Sequence, residues 1–255
     1  MEFQKKSDEF QDNGISVIGI SYDSVHVLKA FADKHGISYP LLSDVNSEVI
    51  KKFGILDKRM PQGKKVYGVP YPGIYIIDKN LKVVKKHFEK LYVERPTAEN
   101  VLVTLLDKKL TSNYRSFQTS YLDGTIAVTD TVAYPSQLLS IIVEMDLKDG
   151  FHLYGKPVPD GYIPLTVKVE DNPNFTVDAF KWPEARKFVI ESIDETFHVL
   201  PQKIRLQSFI RIKRKPALGR HLIKVNISFQ ACDEKTCMLL EEFAFSFPLE
   251  ITDEI

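Results

Sequence analysis

Two cysteines, Cys232 and Cys237, are the only thiols in the 255-residue chain, and four residues separate them. They stand in the run Phe229-Gln230-Ala231-Cys232-Asp233-Glu234-Lys235-Thr236-Cys237-Met238. At this spacing, late in a β-rich stretch, the pair suggests a hairpin able to carry a disulfide, and a disulfide stores two electrons. Three chemistries are open to it: thiol–disulfide exchange, a structural staple or inert thiols, and half of a zinc site. As a staple it contributes little. Closing so short a loop removes about 2 kcal/mol of unfolded-chain entropy, in a chain long enough to bury ordinary cores. Small secreted scaffolds use several bridges, not one local one. A zinc site would need two more ligands, and His221 stands alone nearby, so no metal is expected. Lys235 would lower a thiol pKa here, while Asp233 and Glu234 would raise it.

The elements that must hold the pair show in the alternation around it. Ile223, Val225, Ile227, Phe229 and Ala231 alternate with Lys224, Asn226, Ser228, Gln230 and Cys232. Beyond the pair, Phe243, Phe245, Phe247, Leu249 and Ile251 alternate with Ala244, Ser246, Pro248 and Glu250. Each strand therefore has an apolar face and a mostly polar one. Parity puts Cys232 on the polar face, where it is expected to reach a partner. Further strands are predicted at Leu138 to Met145, Leu165 to Glu170 and Ile204 to Ile212, and this short spacing favours an all-β sandwich from about residue 120 onward.

The first hundred residues read differently. A helix over 2–12 ends at Asn13-Gly14. Ile15 to Ile20 reads as a strand covered on both faces. Ser24 caps a helix with Leu28, Phe31, Ala32 and His35 on one stripe, ended by Gly36. Tyr39 to Leu42 is a short strand, a short helix follows through Phe53, and Gly73 to Ile77 turns through Asp78-Lys79-Asn80 into a second hairpin arm. Thr97 caps a last helix with Val101, Leu102, Leu105 and Leu106 inward. The fold class expected is α/β plus all-β, with domains at 1–110 and 120–255 and a polar linker at 111–119.

Composition bounds the function. Apolar content of 44%, charge of 27% and a net charge of zero describe an ordinary globular chain. They give no electrostatic case for nucleic acid or an anionic membrane. The basic run Arg211, Lys213, Arg214 and Lys215 reads as a solvated strand end. No apolar stretch is long enough to span a bilayer and no signal peptide is visible. No cofactor is expected.

Two resemblances sharpen this reading. The segments Val225-Asn226-Ile227-Ser228-Phe229-Gln230-Ala231-Cys232 with Cys237, and Asp149-Gly150-Phe151-His152-Leu153-Tyr154-Gly155-Lys156, resemble the amino-terminal domain of the bacterial thiol:disulfide interchange protein DsbD, over roughly 120–252. The resemblance implies an immunoglobulin-like sandwich whose cysteine pair passes electrons to thioredoxin-like periplasmic partners. Cys237 would attack the partner and Cys232 would resolve, with Tyr154 in the site. An aromatic cap would shield the pair, with Phe197 of Glu195-Thr196-Phe197-His198 at that position. An extracytoplasmic location follows from the same resemblance. Met238-Leu239-Leu240 stands where the family has Pro-Pro after the second cysteine.

The N-terminal half resembles thioredoxin-fold redoxins of the AhpC/TSA type. Ile15 to Ser21, Tyr39-Pro40-Leu41-Leu42-Ser43-Asp44 and Tyr71-Pro72-Gly73-Ile74-Tyr75-Ile76-Ile77-Asp78 carry that likeness. It implies a cis Tyr71–Pro72 bond presenting a carbonyl to a substrate strand, against a plain turn made by Pro70 and Pro72. Pro72 stands where similar peroxiredoxins have an arginine, which argues against peroxidase chemistry. The redoxin nucleophile and its strand would precede residue 2, so Met1 reads as an internal methionine of a longer protein and the thioredoxin-like part as incomplete. The function expected is thiol–disulfide exchange; a non-catalytic binding module is the alternative, with peroxidase activity confined to a longer parent.

Overall fold

The computed structural model describes residues 2–60, 67–88, 94–106, 108, 110, 112–190 and 195–253. The chain divides into two compact units, residues 1–108 and 109–255. None of the helices among the described residues is long and apolar enough to cross a membrane.

The first unit mixes helices with short strands. Its elements are α1 (Glu2–Lys5), α2 (Ser7–Asp12), β1 (Gly19–Ser21), α3 (Val25–His35), β2 (Leu41–Ser43), α4 (Glu48–Lys52), β3 (Gly73–Ile77), β4 (Val83–Phe88), β5 (Arg95–Pro96) and α5 (Ala98–Leu105). Local signals acted where they were read. The Ser24 hydroxyl accepts from Val27 N–H, and Gly36 ends α3 in the left-handed conformation at φ 62°. The Thr97 hydroxyl accepts from Asn100 N–H at the head of α5. Phe10 of α2 packs with Ala98, Val101 and Leu102 of α5 into a small core.

Three expectations for this unit need correction. The helix over 2–12 is interrupted at Lys6. The run from Ile15 to Ile20 forms a strand only over Gly19–Ser21 and is covered on one face, not two. Ile15 and Val17 pack on the Phe10 cluster, whereas Ile18 and Ile20 are 56% and 48% exposed. The α3 stripe buries Leu28 but leaves Phe31 46% exposed. The strands explain the open faces: β1 pairs in parallel with β2, β3 pairs antiparallel with β4, and each pair is a sheet of its own.

The second unit is a two-layer β-sandwich. Its strands are β6 (Tyr114–Gln118), β7 (Leu122–Val128), β8 (Val132–Ala133), β9 (Gln137–Leu147), β10 (His152–Leu153), β11 (Thr166–Val169), β12 (Phe175–Val177), β13 (Arg186–Ile190), β14 (Glu195–Val199), β15 (Lys203–Ile212), β16 (Gly219–Cys232) and β17 (Cys237–Ile251). One layer runs β12-β15-β9-β7-β6, the other β10-β16-β17-β8, with β11 also on β16. The apolar parities meet between them. Ile141, Val143, Leu206 and Ile210 from one layer pack with Val225, Ile227, Phe229, Phe247 and Leu249 from the other, each at most 1% exposed. Within the stretch expected as a linker, Tyr114–Gln118 is strand β6, paired with β7. Its lone buried apolar residue, Phe117, lies across Gly124, whose missing Cβ leaves room for the ring. A single inward residue in a polar run carries no periodic signal. Position 111 of that stretch lies outside the described residues.

A charge pair with a buried carboxylate and a half-exposed guanidinium lies in the chain before β3. The Asp57 side chain is fully buried, and its carboxylate accepts from Arg59 Nε at 2.9 Å and Nη2 at 2.7 Å. The Arg59 guanidinium lies 5.1 Å from the Tyr71 ring centroid. The Arg59 side chain first, then backbone and Tyr71 hydrogen bonds, hold the Asp57 carboxyl down to about 2. A depressed folded-state pKa contributes stability that is complete above the unfolded value near 4 and is lost as pH falls through the folded one. We expect chemical denaturation of the wild-type chain to lose stability between about pH 4 and 2 through this group. Asp57→Asn should be less stable at neutral pH, with the difference shrinking over that interval. A difference that stays constant with pH would show that the pair does not act this way.

Candidate functional site

The site is built on the end of the β16–β17 hairpin. The two strands pair antiparallel from Gly219↔Ile251 to Gln230↔Leu240, and then the register shifts to Cys232↔Cys237. Two steps along β16 face three along β17, so a bulge places an extra residue opposite Ala231. It turns Met238 toward the sandwich core, against the parity of Phe243 and Phe245, and leaves Leu239 85% exposed. Beyond the bulge the cysteines face each other with Cα atoms 4.0 Å apart, within bridging reach, and form a disulfide.

The four-residue turn between them is tied by Asp233. Its Oδ1 accepts from the backbone N–H of Lys235 and of Thr236, each at 2.7 Å, and its own N–H donates to Thr236 C=O at 2.9 Å. These two backbone donors hold the Asp233 carboxyl below the usual carboxylate range. Asp233 therefore acts mainly as the turn's anchor.

The two sulfurs have unlike surroundings. Cys237 is exposed. Cys232 is 1% exposed and packs with Tyr154 and Phe197, and Val158, Tyr162 and Val199 pad the cluster. Cys232 does lie on the face of β16 opposite Ala231, as parity indicates: Ala231 enters the sandwich core and Cys232 a separate cluster. The expectation that this face leaves Cys232 free to reach a partner is overturned, because an aromatic cover built from other elements lies over it.

Two segments make that cover. The first is the chain 152–155. His152 pairs with Cys232 and Leu153 with Ala231, while Gly155 N–H donates to His198 C=O at 2.7 Å and Leu200 N–H to Leu153 C=O at 2.9 Å. It thereby joins β16 to the second segment, the β13–β14 hairpin, which carries Phe197 opposite Phe188. Phe197 is fully buried, its ring centroid 4.8 Å from those of both Tyr154 and Tyr162. Residues 191–194, between the two arms, lie outside the described residues.

His152 borders this cluster. Its Nε2 is 3.0 Å from the Tyr154 hydroxyl, and the rings meet edge to face at 5.0 Å. Burial holds the imidazole below the ordinary histidine range, with Asp233 pulling the other way. Burial, and then Tyr162, push the Tyr154 phenol up. Both are thus neutral at neutral pH.

Of the residues singled out from sequence, Cys232, Cys237, Tyr154 and Phe197 come together. Pro72 does not join them: it belongs to the first unit, in the turn before β3. Its peptide bond is not cis, the one cis bond among the described residues being Lys156–Pro157. Pro70 bridges Leu56, and Tyr71 N–H donates to Ile55 C=O at 2.6 Å, so this stretch is held as a plain turn against its own unit. His152 and Tyr162 were missed. His152 stands two residues before Tyr154, the spacing that puts side chains on one face of a strand; Tyr162 comes from a loop and has no local signal. Among the described residues no cluster of three or more His, Cys, Asp or Glu side chains could hold a metal.

Comparison with known proteins follows this division. Residues 1–86 match the AhpC/TSA family and residues 120–247 match "Thiol:disulfide interchange protein DsbD, N-terminal". Peroxiredoxin Bcp of Escherichia coli K12 is 36% identical over 62 residues, 24% of this chain and 40% of that protein. The chain spans about half or less of the length of the curated relatives it matches. Among solved structures, the N-terminal periplasmic domain of ScsB from Proteus mirabilis aligns with 54% of this chain and 51% of its own at 10% identity and TM-score 0.39. The reduced DsbD N-terminal domain of Neisseria meningitidis aligns with 44% of this chain and 78% of its own at 13% identity and TM-score 0.29. A thioredoxin-like part thus precedes an immunoglobulin-like β-rich part. The second match spans half of the chain, which through residues 120–247 belongs to the family of the DsbD N-terminal domain.

Proposed function

We propose that this chain exchanges thiols and disulfides with a thioredoxin-fold protein through Cys232 and Cys237. Both family matches support a thiol–disulfide redox role in general. The observation that carries the finer reading is the asymmetry of the bridge: Cys237 exposed, Cys232 buried under Tyr154 and Phe197. A staple needs no such difference. An exchanging pair uses it, because an incoming thiolate meets one sulfur only and the other is kept for resolution. Cys237 is then the sulfur that bonds to the partner and Cys232 the one that releases it. Solvent access to Cys237 also favours exchange over a purely docking role. A lone disulfide of this kind persists where the surroundings are oxidising, which supports an extracytoplasmic location. Tyr154 and Phe197 act as the cover, and Pro72 has no part in this reading.

Two outcomes test it. With a reduced thioredoxin-fold protein as electron donor, the wild-type disulfide should be reduced. Cys232→Ser should accumulate a mixed disulfide through Cys237 when offered an oxidised partner, and Cys237→Ser should form none. Mass spectrometry of acid-quenched mixtures reads both; a partner found on Cys232 would reverse the assignment, and no exchange with any thioredoxin-fold partner would leave a docking role.

The cover gives the second. Removing the Phe197 ring opens the buried side of the bridge, so Phe197→Ala should be reduced severalfold faster by dithiothreitol than wild type. It should also lower stability by about 3 kcal/mol, the usual cost of truncating a buried phenylalanine. Unchanged reduction with the expected loss of stability would make Phe197 a packing residue and not a shield.

A further inference from the structure

A buried cysteine that resolves a mixed disulfide must first lose its proton, and the apolar cover works against that. Burial among aromatic rings disfavours a thiolate. The apolar cluster around Cys232 is Tyr154, Phe197, Tyr162, Val158 and Val199. The proton needs an acceptor inside or beside the cover.

His152 is placed for this. It stands directly opposite Cys232 on the neighbouring antiparallel strand, and cross-strand partners project from the same face of a sheet with Cβ atoms about 5 Å apart. Its Nε2 is hydrogen-bonded to the hydroxyl of Tyr154, which itself packs on Cys232. We propose that the hydrogen-bonded His152–Tyr154 pair is the proton acceptor for Cys232, with the imidazole as the group that keeps the proton. This rests on the exchange reading above and adds to it the residue that makes the resolving thiol reactive.

The step balances as follows. The Cys237 thiolate attacks a disulfide; a sulfur–sulfur bond forms to one partner sulfur and the other leaves as a thiolate. The Cys232 thiol then gives its proton to the imidazole, and its sulfur attacks Cys237 Sγ. The Cys232–Cys237 bond forms, the mixed disulfide breaks and the second partner sulfur leaves as a thiolate. Two electrons have passed to the partner, and the imidazolium returns its proton to solvent.

The surroundings suit an acceptor. Half-burial holds His152 below the ordinary histidine range, so it is in its basic form at neutral pH. Of the groups around it, Asp233 at the turn after β16 offsets that shift in part, and its carboxylate is already engaged by two backbone donors. Tyr154, its phenol pushed up by burial, is neutral at this pH. On β14, the His198 ring bonds the Pro157 carbonyl. Glu195, on the same strand, has an Oε2 buried without a hydrogen-bond partner among the described residues.

The test uses the reduced full chain and glutathione disulfide, so that no protein partner is needed. Acid-quenched samples are followed by intact mass for the glutathione adduct on Cys237 and for the closed pair. His152→Gln keeps a hydrogen-bonding side chain but no titrating ring, and Tyr154→Phe keeps the ring but no hydroxyl. In both variants we expect the adduct to form at the wild-type rate and to resolve about tenfold more slowly or worse, as for a lost general base. The pH profile separates this from looser packing. Wild-type resolution should level off once the imidazole, held below the ordinary histidine range, has lost its proton, whereas His152→Gln should keep rising toward the ordinary thiol range near about 8.5 or above. Wild-type resolution rate and profile in His152→Gln would overturn the assignment while leaving the exchange reading intact. A wild-type pair that forms no adduct at all would overturn both.

Discussion

The pairing of β16 with β17 is the constraint on which the rest of the site depends. It holds an in-register antiparallel ladder from Gly219↔Ile251 to Gln230↔Leu240 and then slips by one residue. The slip brings Cys237 opposite Cys232. Without it, Met238 would face Cys232, and the two sulfurs would sit on opposite faces of the hairpin. The same slip lets Met238 fill the sandwich core and leaves Leu239 exposed beside Cys237. One bulge thus joins the core to the cysteine pair.

The end of β16 is buried on both sides, and this divides the labour between neighbouring residues. Ala231 belongs to the core that holds the sandwich together, and Cys232 to a small aromatic cluster of its own. The disulfide adds about 2 kcal/mol at most to folding, because the loop it closes is short. Its removal or reformation therefore perturbs the unit little. Under the proposed exchange the bridge would open and close, and that separation suits it: the core supplies stability, and the bridge is free to change state.

The first unit shows the opposite balance. Among the described residues its clustered core is Phe10, Ala98, Val101 and Leu102 with a few partly buried neighbours, and Leu28, Ile50 and Val69 are buried outside that cluster. Strands β1 to β4 form two separate pairs, and Ile18, Ile20 and Leu42 each keep about half of their surface in solvent. The Asp57–Arg59 pair supplies order to its connecting loop through polar contacts. Both cysteines lie in the second unit, whose sandwich carries the larger core among the described residues.

What the sequence by itself determined is whatever acts over a few residues. The alternation through Ile223 to Ala231 set the strand and its faces, Ser24 and Thr97 set helix starts, and the two cysteines with their flanking phrase marked the site and its family. Such features are local because capping and side-chain period depend on neighbours in the chain. Tertiary structure decided which sulfur is reachable. Parity placed Cys232 on the polar face, but its burial comes from Tyr154, about 80 residues upstream, and from Phe197 on another hairpin. Likewise β6 reads as polar linker until Phe117 finds Gly124, and His152 comes beside the disulfide only when its strand pairs with Cys232. Burial is a property of what packs over a residue, and those partners are brought together by the chain's return, not by its local pattern.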